Sequence, residues 1–575
     1  MGPFPRLLTL AILLLVPTAA GAQGADGLDV LIRGGRVIDG TGNPWFRADV
    51  AIRDGRIVAV GNLEGRAARR IVDARGLVVV PGFIDIHSHG GDEDGLLSSD
   101  AGRRAAPNLV TQGITTVVVN PDGRGPLDIA GQRRSYQRRG IGPNAILLIG
   151  HNTVRGAVLG DDYRRASTAA EVEEMRDLVR EGMEAGAYGL SAGLEYVPGR
   201  WSTTDELVSL AEVVADYGGF YIAHERSESV APMWWKPSRH DPGPPTLLDA
   251  VQETIEIGER TGIPVVASHL KARGAMYWGS GRAAISLIDR ARERGVRVYG
   301  DAYPYDTSGS DGSTVLVPGW AIGFGQWDET GSESAAPDYA ARLAETLADP
   351  GAAADVRRDV RHEMQFRGGP EKIVVFEYPD SRYIGRSLAE LAAEERGVSP
   401  VEMALALQEE GFRDRPGGAR LRSFSFSEID IELYAAQPWL ATASDGGVAL
   451  PEDGPRTHPR YYGTFTRKLR RYAIERGVLS VPDAIRAATT LPAQILGLRD
   501  RGQIREGFAA DVAILDLDRV RDRATFTEPH QHSEGVVQVF VNGELVVDGE
   551  SPTWALPGTV VTPEGARAAP STEGR

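Results

Sequence analysis

The chain has 575 residues, of which 42% are hydrophobic and 25% charged, and its formal net charge is −16 at pH 7. This composition is typical of a globular protein with a large core and excludes a disordered chain. The negative charge disfavours a nucleic acid or an anionic membrane as partner, because both attract clustered Lys and Arg. The absence of cysteine excludes disulfides, thiolate zinc sites, iron–sulfur clusters and a lipid anchor on cysteine.

Residues 1–22 are predicted to be a secretory signal peptide. Arg6 precedes an apolar run from Leu7 to Val16, and Ala20-Gly21-Ala22 supplies a small-x-small cleavage signal before Gln23. The run is short for a transmembrane helix, and the alternative is an uncleaved N-terminal anchor. We therefore expect a bacterial protein that is periplasmic or secreted, without a membrane contact after cleavage.

Both ends of the mature chain carry β-hairpin patterns. Residues 23–80 contain alternating apolar runs around Asp54-Gly55, and residues 501–555 contain similar runs around Asn542-Gly543. These dipeptides are strong hairpin turns. We predict that the two segments pair into one small β-sandwich, and that residues 556–575, rich in Pro, Gly and Ala, form a flexible tail.

Residues 81–500 are predicted to form an α/β domain with a (β/α)8 TIM-like barrel. Eight short apolar, β-branched runs alternate with helical patterns, at Leu77–His87, Gly113–Asn120, Ala145–Gly150, Ala187–Ser191, Phe220–His224, Pro264–His269, Val296–Tyr303 and Trp439–Ser444. This alternation predicts parallel strands, and eight of them predict a closed barrel. A doubly wound open sheet is the alternative, but no Gly-x-Gly-x-x-Gly loop follows the first run. Residues 306–430 are predicted to be an insertion or lid between strands seven and eight.

Potential ligands and acid/base groups follow almost every predicted strand. Active sites of such barrels lie at the carboxyl ends of the strands, and five of the 10 histidines occur there. The candidates are His87, His89, Asp122, His151, His224, His269 and Asp445. Imidazole and carboxylate ligands suit zinc, manganese, iron or nickel. Asp445, alone after the last strand, is suited to accept a proton from water and pass it to a leaving amine. A Ser–His–Asp triad is the competing interpretation, but no Gly-x-Ser-x-Gly precedes a helix.

Several motifs in chain order carry a family resemblance. They are PGFIDIHSH (81–89), GITTVVVNPDG (113–123), GLSAGLEYVPG (189–199), AHERSE (223–228), SHLKARG (268–274), DAYPY (301–305), SDGG (444–447), HPRYYGTFTRKLRRY (458–472) and PAQILGLRDRGQIREGFAADVAILD (492–516). With them the chain resembles the metal-dependent amidohydrolase superfamily, and within it the N-acyl-D-amino-acid deacylase (D-aminoacylase) family.

The resemblance implies a metal site and a substrate site. It implies one or two divalent ions, with zinc held tightly by His224, His269 and the residue at position 122. A second, weaker site would use His87 and His89, and Asp445 would be the catalytic acid/base. The family has a cysteine in a Gly-Asn-Cys-Gly turn where this chain has Asp122, so we expect a working site with more carboxylate character. Alternatively, Asp122 only forms the turn.

Four residues are candidates for contacts with the substrate. The resemblance implies that Lys271, Tyr303 and Arg460 contact its carboxylate or carbonyl. His151, after the third predicted strand, is a further candidate, and the alternative is a histidine that is only hydrogen-bonded.

The leading hypothesis is a metal-dependent hydrolase that cleaves the linear amide of N-acyl amino acids of D configuration. A dipeptidase or a cyclic-amide hydrolase, similar to dihydroorotase or hydantoinase, would use the same chemistry on another substrate. A periplasmic binding protein with a degenerate metal site is a third hypothesis. The intact His87, His89, His224, His269 and Asp445 favour an enzyme over a binding protein. The expected partner is a small molecule and not a nucleic acid, and the oligomeric state stays open.

Overall fold

The computed structural model describes residues 2, 27–309, 314–324 and 338–563 of the chain. The predicted signal peptide, residues 1–22, lies outside the described residues apart from Gly2. Within the described ranges, no helix is both long enough and apolar enough to cross a membrane.

The strands in these ranges are numbered β1 to β20 in chain order: Leu28–Val37, Phe46–Arg53, Arg56–Gly61, Ala68–Asp73, Val78–Pro81, Phe83–Asp85, Ile114–Val119, Asn144–Leu147, Ile149–Gly150, Gly189–Gly193, Phe220–His224, Val265–Ala267, Val298–Ala302, Ile373–Glu377, Arg420–Ser423, Leu440–Thr442, Val512–Leu515, Val536–Val541, Glu544–Asp548 and Ser551–Pro552. The α-helices, α1 to α17, are Ala101–Arg104, Pro107–Val110, Ile129–Arg139, His151–Leu159, Ala169–Glu184, Thr204–Asp216, Leu247–Thr261, Gly281–Glu293, Gly319–Ile322, Tyr339–Leu347, Pro350–Phe366, Leu388–Glu390, Pro400–Glu410, Glu428–Ala435, Arg460–Arg467, Val481–Ala488 and Thr490–Ile495.

Strands from both ends of the chain join in one nine-stranded sheet. Its order is β20-β19-β18-β17-β5-β1-β2-β3, and β4 pairs with β1 outside this order. The junction is β5, which runs parallel to β1 and antiparallel to β17, with Val79 opposite Ile514. Both side chains are fully buried in an apolar cluster that also contains Val37 and Val512. The two ends therefore share one sheet and one core.

A second group of strands is entirely parallel and carries the candidate site. Six strands follow the order β16-β13-β12-β11-β10-β9, and three more follow the order β6-β7-β8. Leu148 separates β8 from β9 and donates its N–H to Val119 of β7 at 3.3 Å. At the other edges, Ser88 after β6 forms a parallel bridge with Gly446 after β16. A buried aliphatic cluster includes Ile84 of β6, Ile146 of β8, Ile222 of β11 and Ala441 of β16.

Four long helices connect consecutive parallel strands. They are α5, α6, α7 and α8, and each buries one apolar face. In α7, for example, Val251, Ile255 and Gly258 lie on the buried face at three- and four-residue spacing. Thr168 and Thr246 cap α5 and α7 with complete capping boxes. These helices confirm the helical patterns predicted between the apolar runs in this part of the chain.

The first predicted barrel strand, Leu77–His87, is two strands. Gly82 separates them, and only glycine fits there, because a Cβ atom would lie 2.2 Å from the Thr115 hydroxyl oxygen. The Gly82 N–H donates to the Asp511 carbonyl at 2.8 Å. The chain therefore leaves the sheet of the two ends after β5 and enters the parallel strands with β6.

The predicted insertion, residues 306–430, has a core of its own. Its described part contains α9 to α13 and the antiparallel pair β14–β15. Val360, Leu407 and Leu421 belong to its separate apolar cluster. The loop after β11 lies against α11, where Ser238 Oγ donates to Asp359 at 2.5 Å.

Part of the predicted flexible tail, residues 557–561, pairs with residues 141–145 at the edge of β8. Gly558 N–H donates to the Ile141 carbonyl at 2.8 Å, and Val561 N–H donates to the Ala145 carbonyl at 2.9 Å. These bonds hold residues 556–561 along β8, because the edge of that strand would otherwise leave backbone groups unpaired. Residues 564–575 lie outside the described residues.

Replacing Ile514 by Ala tests whether the sheet shared by both ends stabilises the whole protein. Ile514 is fully buried, so the change should cost about 2–5 kcal/mol of unfolding free energy. The control is Ile71→Ala in the same sheet, because Ile71 is 51% exposed and should cost little. Thermal unfolding followed by circular dichroism measures both. Equal destabilisation by the two variants would contradict the assigned role of the β5–β17 junction.

Candidate metal centre and active site

The predicted metal ligands converge where the parallel strands end. His87 and His89 follow β6, Asp122 follows β7, and Asp445 follows β16. His224 is the last residue of β11, and His269 follows β12. Among these residues, Asp122, His269 and Asp445 have positive φ angles of 57°, 36° and 47°. Such conformations are costly for residues with a side chain and are concentrated at functional sites.

These side chains form three overlapping groups that could each hold a metal ion. Within each group one ligand atom of every residue lies within 4.8 Å of the others, and the groups are His87–Asp122–His269, His87–His89–Asp445 and His224–Glu228–His269. The structure thus brings together all six predicted residues at the centre. The groups differ from the ligand sets that the resemblance implies. Asp122 is grouped with His87 and His269, and Glu228 is grouped with His224 and His269.

Two buried atoms at the middle of the site face each other without a hydrogen bond. Among the described residues, His87 Nε2 and Asp122 Oδ1 have no hydrogen-bond partner, and they lie 3.5 Å apart. Burial lowers the pKa of His87 to about 3, so the ring is neutral at pH 7 and offers a lone pair. An unpaired buried carboxylate oxygen beside an unpaired ring nitrogen fits a divalent cation with N and O ligands.

Both aspartates of the centre are strongly ionised. Burial alone would raise the pKa of Asp122, but His87, His269 and His89 hold it well below its usual range. Arg460 has the corresponding effect on Asp445, since its Nη1 donates to Oδ2 at 2.7 Å and keeps the pKa of that carboxyl low against the effect of burial. The other oxygen, Oδ1, lies 3.0 Å from His89 Nε2.

His224 and His269 are held by carboxylates on their far sides. His224 Nδ1 and His269 Nε2 face each other at 3.0 Å. The opposite nitrogens meet Glu195 at 3.1 Å and Glu228 at 3.0 Å, respectively. Burial and Lys271 lower the pKa of His269, but Asp122 and Glu228 raise it to about 10. This is the pattern of carboxylates that orient metal-binding imidazoles.

Lys271, Tyr303 and Arg460, the predicted substrate contacts, lie beside this centre. Lys271 Nζ contacts Glu228 and lies 2.8 Å from His269 Nδ1. The Arg460 guanidinium lies 4.7 Å from the centre of the Tyr303 ring. Within the described part of the chain, the Tyr303 hydroxyl and Arg460 Nε are buried without a hydrogen-bond partner. Both atoms therefore have hydrogen-bonding capacity left for a ligand.

His151 makes its contacts away from these residues. It is the first residue of α4 and fully buried. Its Nε2 lies 2.8 Å from Glu206 Oε1, and its Nδ1 lies 3.3 Å from Asn152 Oδ1. Glu206 also binds Arg155 and accepts from Ser167 Oγ at 2.6 Å. Both ring nitrogens are thus engaged in a network that ties α4 to α6.

Several polar residues of the site are absent from the set predicted from the sequence. Glu195 lies in the turn after β10 and contacts His224, the Met233 N–H at 2.7 Å and Arg273 at 3.2 Å. Asp85 accepts hydrogen bonds from the backbone N–H and the hydroxyl of Ser444. Asp85 and Ser444 lie next to predicted site residues in the motifs DIHSH and SDGG, and this position in the sequence could have indicated that they belong to the site. Glu195 lies in the motif GLSAGLEYVPG (189–199), but no residue of that motif was assigned a role from the sequence.

Four histidines and two aspartates thus meet at the carboxyl ends of parallel strands. This arrangement is typical of the active site of a metal-dependent hydrolase. Comparisons with known proteins agree with this class. The model of the Amidohydrolase family matches residues 70–242 and 329–547, and the chain belongs to this family.

Curated relatives and solved structures cover nearly the whole chain. The chain is 33% identical to the D-aminoacylase of Alcaligenes xylosoxydans xylosoxydans over an alignment of 541 residues, and the match covers 90% of this chain and 94% of the relative. It is also 33% identical to an N-acyl-D-glutamate deacylase of the same organism, covering 93% and 97%. The crystal structure of N-acyl-D-glutamate deacylase from Bordetella bronchiseptica, complexed with zinc and a phosphonate inhibitor, matches with a TM-score of 0.70 and 32% identity. That match covers 93% of this chain and 99% of that one.

Replacing Glu206 by Gln tests the structural role of the His151 network. Burial raises the pKa of Glu206, but hydrogen bonding and charge from His151, with Ser167 and Arg155, lower it to about 2 from an ordinary 4.5. A depressed carboxyl pKa stabilises the fold above pH 4.5, and this contribution is lost as the pH falls towards 2. The variant should therefore lose about 3–5 kcal/mol at pH 7 and progressively less below pH 4.5.

Thermal unfolding midpoints measured from pH 7 to pH 3 check this expectation, with Glu173→Gln as control because the Glu173 side chain is 73% exposed. A difference from wild type that stays constant with pH would contradict it.

Proposed function

We propose that the protein is a metal-dependent hydrolase that cleaves the amide bond of N-acyl-D-amino acids into a carboxylate and a free amino acid. The observation that carries the proposal is the facing pair His87 Nε2 and Asp122 Oδ1, buried and unpartnered among the described residues. It supports a cation at the centre of the site. The names of the relatives, D-aminoacylase and N-acyl-D-glutamate and N-acyl-D-aspartate deacylase, support the substrate class.

We further infer that the two parallel sheets close into a single (β/α)8 barrel. The bridge between Ser88 and Gly446 supports the closure, as does the Asp445 N–H bond to the His87 carbonyl at 3.0 Å. The continuation from β8 to β9 supports it on the other side. In this architecture the predicted ligands surround one opening at the carboxyl ends of the strands.

The donor set suits zinc, since it offers imidazole nitrogens and carboxylate oxygens and no thiolate. His224, His269 and Asp122 would hold a first ion, and His87 and His89 a second, with Asp122 within reach of both sets. When bound, the ion lowers the pKa of a water and polarises the amide carbonyl.

Asp445 is the residue we assign to proton transfer. Arg460 occupies Oδ2, so only Oδ1 is directed towards His87 and His89 at 3.5 and 3.0 Å. From that position Oδ1 accepts the proton of the attacking water and returns it to the leaving nitrogen. The neighbouring Arg460 keeps the carboxyl ionised and ready to accept it.

Lys271 and Arg460 are the cationic residues that would bind the substrate carboxylate. Arg460 offers a planar fork and Lys271 a point charge, and both are buried, which strengthens a charge-assisted contact. The Tyr303 hydroxyl would donate to the carboxylate or the amide carbonyl. His151 has no role in substrate binding in this proposal, because both its ring nitrogens contact Glu206 and Asn152.

The decisive experiment is hydrolysis of N-acetyl-D-amino acids by the purified protein before and after chelation. We expect one to two divalent ions by elemental analysis, release of acetate, and loss of turnover with chelator that returns with zinc. Parallel assays with a dipeptide and a hydantoin distinguish the alternative hydrolases. Full activity of metal-free protein, or hydrolysis of the cyclic amide alone, would refute the proposal.

The variants Asp122→Ala and Asp122→Cys test whether Asp122 is a ligand. Removing the carboxylate should lower the metal content and reduce kcat/KM by roughly 10- to 100-fold or more, whereas a thiolate should retain zinc. Elemental analysis and titration of metal-free protein with zinc measure the effect. Unchanged metal content in Asp122→Ala would reduce the residue to a turn former.

Arg460→Ala tests recognition of the α-carboxylate. Loss of a charge-assisted contact is worth about 1.5–3 kcal/mol, so kcat/KM for the acid substrate should fall roughly ten- to a hundred-fold. The variant should discriminate less than wild type between N-acetyl amino acid and its amide. Arg456→Ala is the control, since the Arg456 side chain is 51% exposed. Equal turnover of acid and amide by wild type would exclude the assigned role.

A further inference from the structure

Asp301 and Ser268 form a buried hydrogen-bonded pair behind His87. Ser268 Oγ donates to Asp301 Oδ2 at 2.7 Å and lies 2.5 Å from His87 Nδ1. The second oxygen, Asp301 Oδ1, accepts the backbone N–H of His269 at 2.7 Å. All of these side chains are at most 2% exposed. One carboxylate at the end of β13 therefore reaches two proposed ligands from other strands.

Counting hydrogens along this chain fixes the tautomer of His87. A serine hydroxyl carries one hydrogen, and a carboxylate carries none. Since Asp301 can only accept, Ser268 donates its hydrogen to Asp301 and acts as acceptor towards His87. Nδ1 of His87 must then carry the ring proton, and Nε2 keeps its lone pair. Nε2 is the atom that faces Asp122 without a hydrogen bond.

We infer that Asp301 is a positioning residue for the metal centre, which acts through Ser268 to fix the ligand tautomer of His87 and through the backbone N–H of His269 to hold that residue at φ 36°. The inference rests on the proposed metal role of the two histidines. It also explains why an acid stands at position 301, where it touches neither the predicted substrate contacts nor the proton-transfer group by a hydrogen bond.

Asparagine at position 301 should reverse the direction of the hydrogen bonds from His87 through Ser268 to residue 301, which we call the relay. The His269 N–H is a fixed donor, so the amide oxygen must face it, and the amide NH₂ then faces Ser268. Ser268 Oγ becomes an acceptor for that NH₂, and its own hydrogen turns towards His87 Nδ1. This stabilises the tautomer with the proton on Nε2, where it blocks the lone pair. A nearly isosteric change would thus impair binding by a proton placement and not by a loss of volume.

Zinc titrations of metal-free protein at pH 8 test this mechanism. Asp301→Asn should lower the affinity roughly 10- to 100-fold. Adding Ser268→Ala removes the hydroxyl that transmits the reversal, so the double variant should bind zinc more tightly than the single one. The matched control is Asp359→Asn, because Asp359 is equally buried and also accepts a serine hydroxyl and a backbone N–H, from Ser238. It should bind zinc as wild type does.

The tautomer itself is read from ¹⁵N shifts of labelled histidine, with His87→Gln used for assignment. Wild type should show a proton on Nδ1 of His87, and Asp301→Asn should show it on Nε2. Should Asp301→Asn fail to fold by circular dichroism, Ser268→Ala and Ser268→Thr test the same relay, because only threonine keeps the hydroxyl and should preserve affinity.

The outcomes separate this inference from the proposed function. If wild type binds no zinc, the proposed metal role fails. If wild type binds zinc but Asp301→Asn binds it equally well with an unchanged tautomer, the positioning role of Asp301 is overturned. Equal weakening in the single and double variants would also overturn the relay, since the serine would then transmit nothing.

Discussion

Burial of charge at the ends of the parallel strands is the constraint on which the site depends. Asp122, His87, His224 and His269 are all at most 6% exposed, and isolated charges removed from water are very costly. The protein reduces this cost by pairing most of the ring nitrogens and carboxylate oxygens of the site with a hydrogen-bonding or charged group. Among the described residues of the centre, His87 Nε2 and Asp122 Oδ1 are buried without a hydrogen-bond partner, and a cation fits this pair.

The outer carboxylates complete the arrangement. Asp301, Glu195 and Glu228 each take the far nitrogen of one buried histidine, directly or through Ser268. The near nitrogens are thereby turned towards one another. Arg273 joins Glu195 and Glu228 at 3.2 and 2.9 Å, so two of these carboxylates share a cation. The protein itself therefore fixes the orientation of the proposed ligands.

The sequence alone located most of this site because strand ends and ligand types coincide. His87 and His89 share a motif, and His224 and His269 each stand at the end of an apolar run. The position at the end of a predicted strand was therefore enough to predict that these histidines lie close together. Glu195 lies in the motif GLSAGLEYVPG, but its contact with His224 could not be predicted, since the path of the turn after β10 depends on tertiary packing. The prediction that His151 contacts the substrate is not supported. The residue follows a strand, as the site residues do, but its ring contacts Glu206 on α6. The first predicted strand is too long, since the separation at Gly82 comes with contacts to Thr115 and Asp511, which are distant in the sequence.

The junction of β5 with β17 places a condition on how the molecule is made. Val79 pairs with Ile514, so one edge of β5 has no partner until Val512–Leu515 has left the ribosome. Contacts of such long sequence separation form late and slowly. Until then β1 to β5 expose an apolar face and unpaired edges, which are hazards for aggregation. The sheet is thus completed only by C-terminal residues, and a nascent chain cut short before β17 would leave the edge of β5 and the apolar cluster around Val79 uncovered.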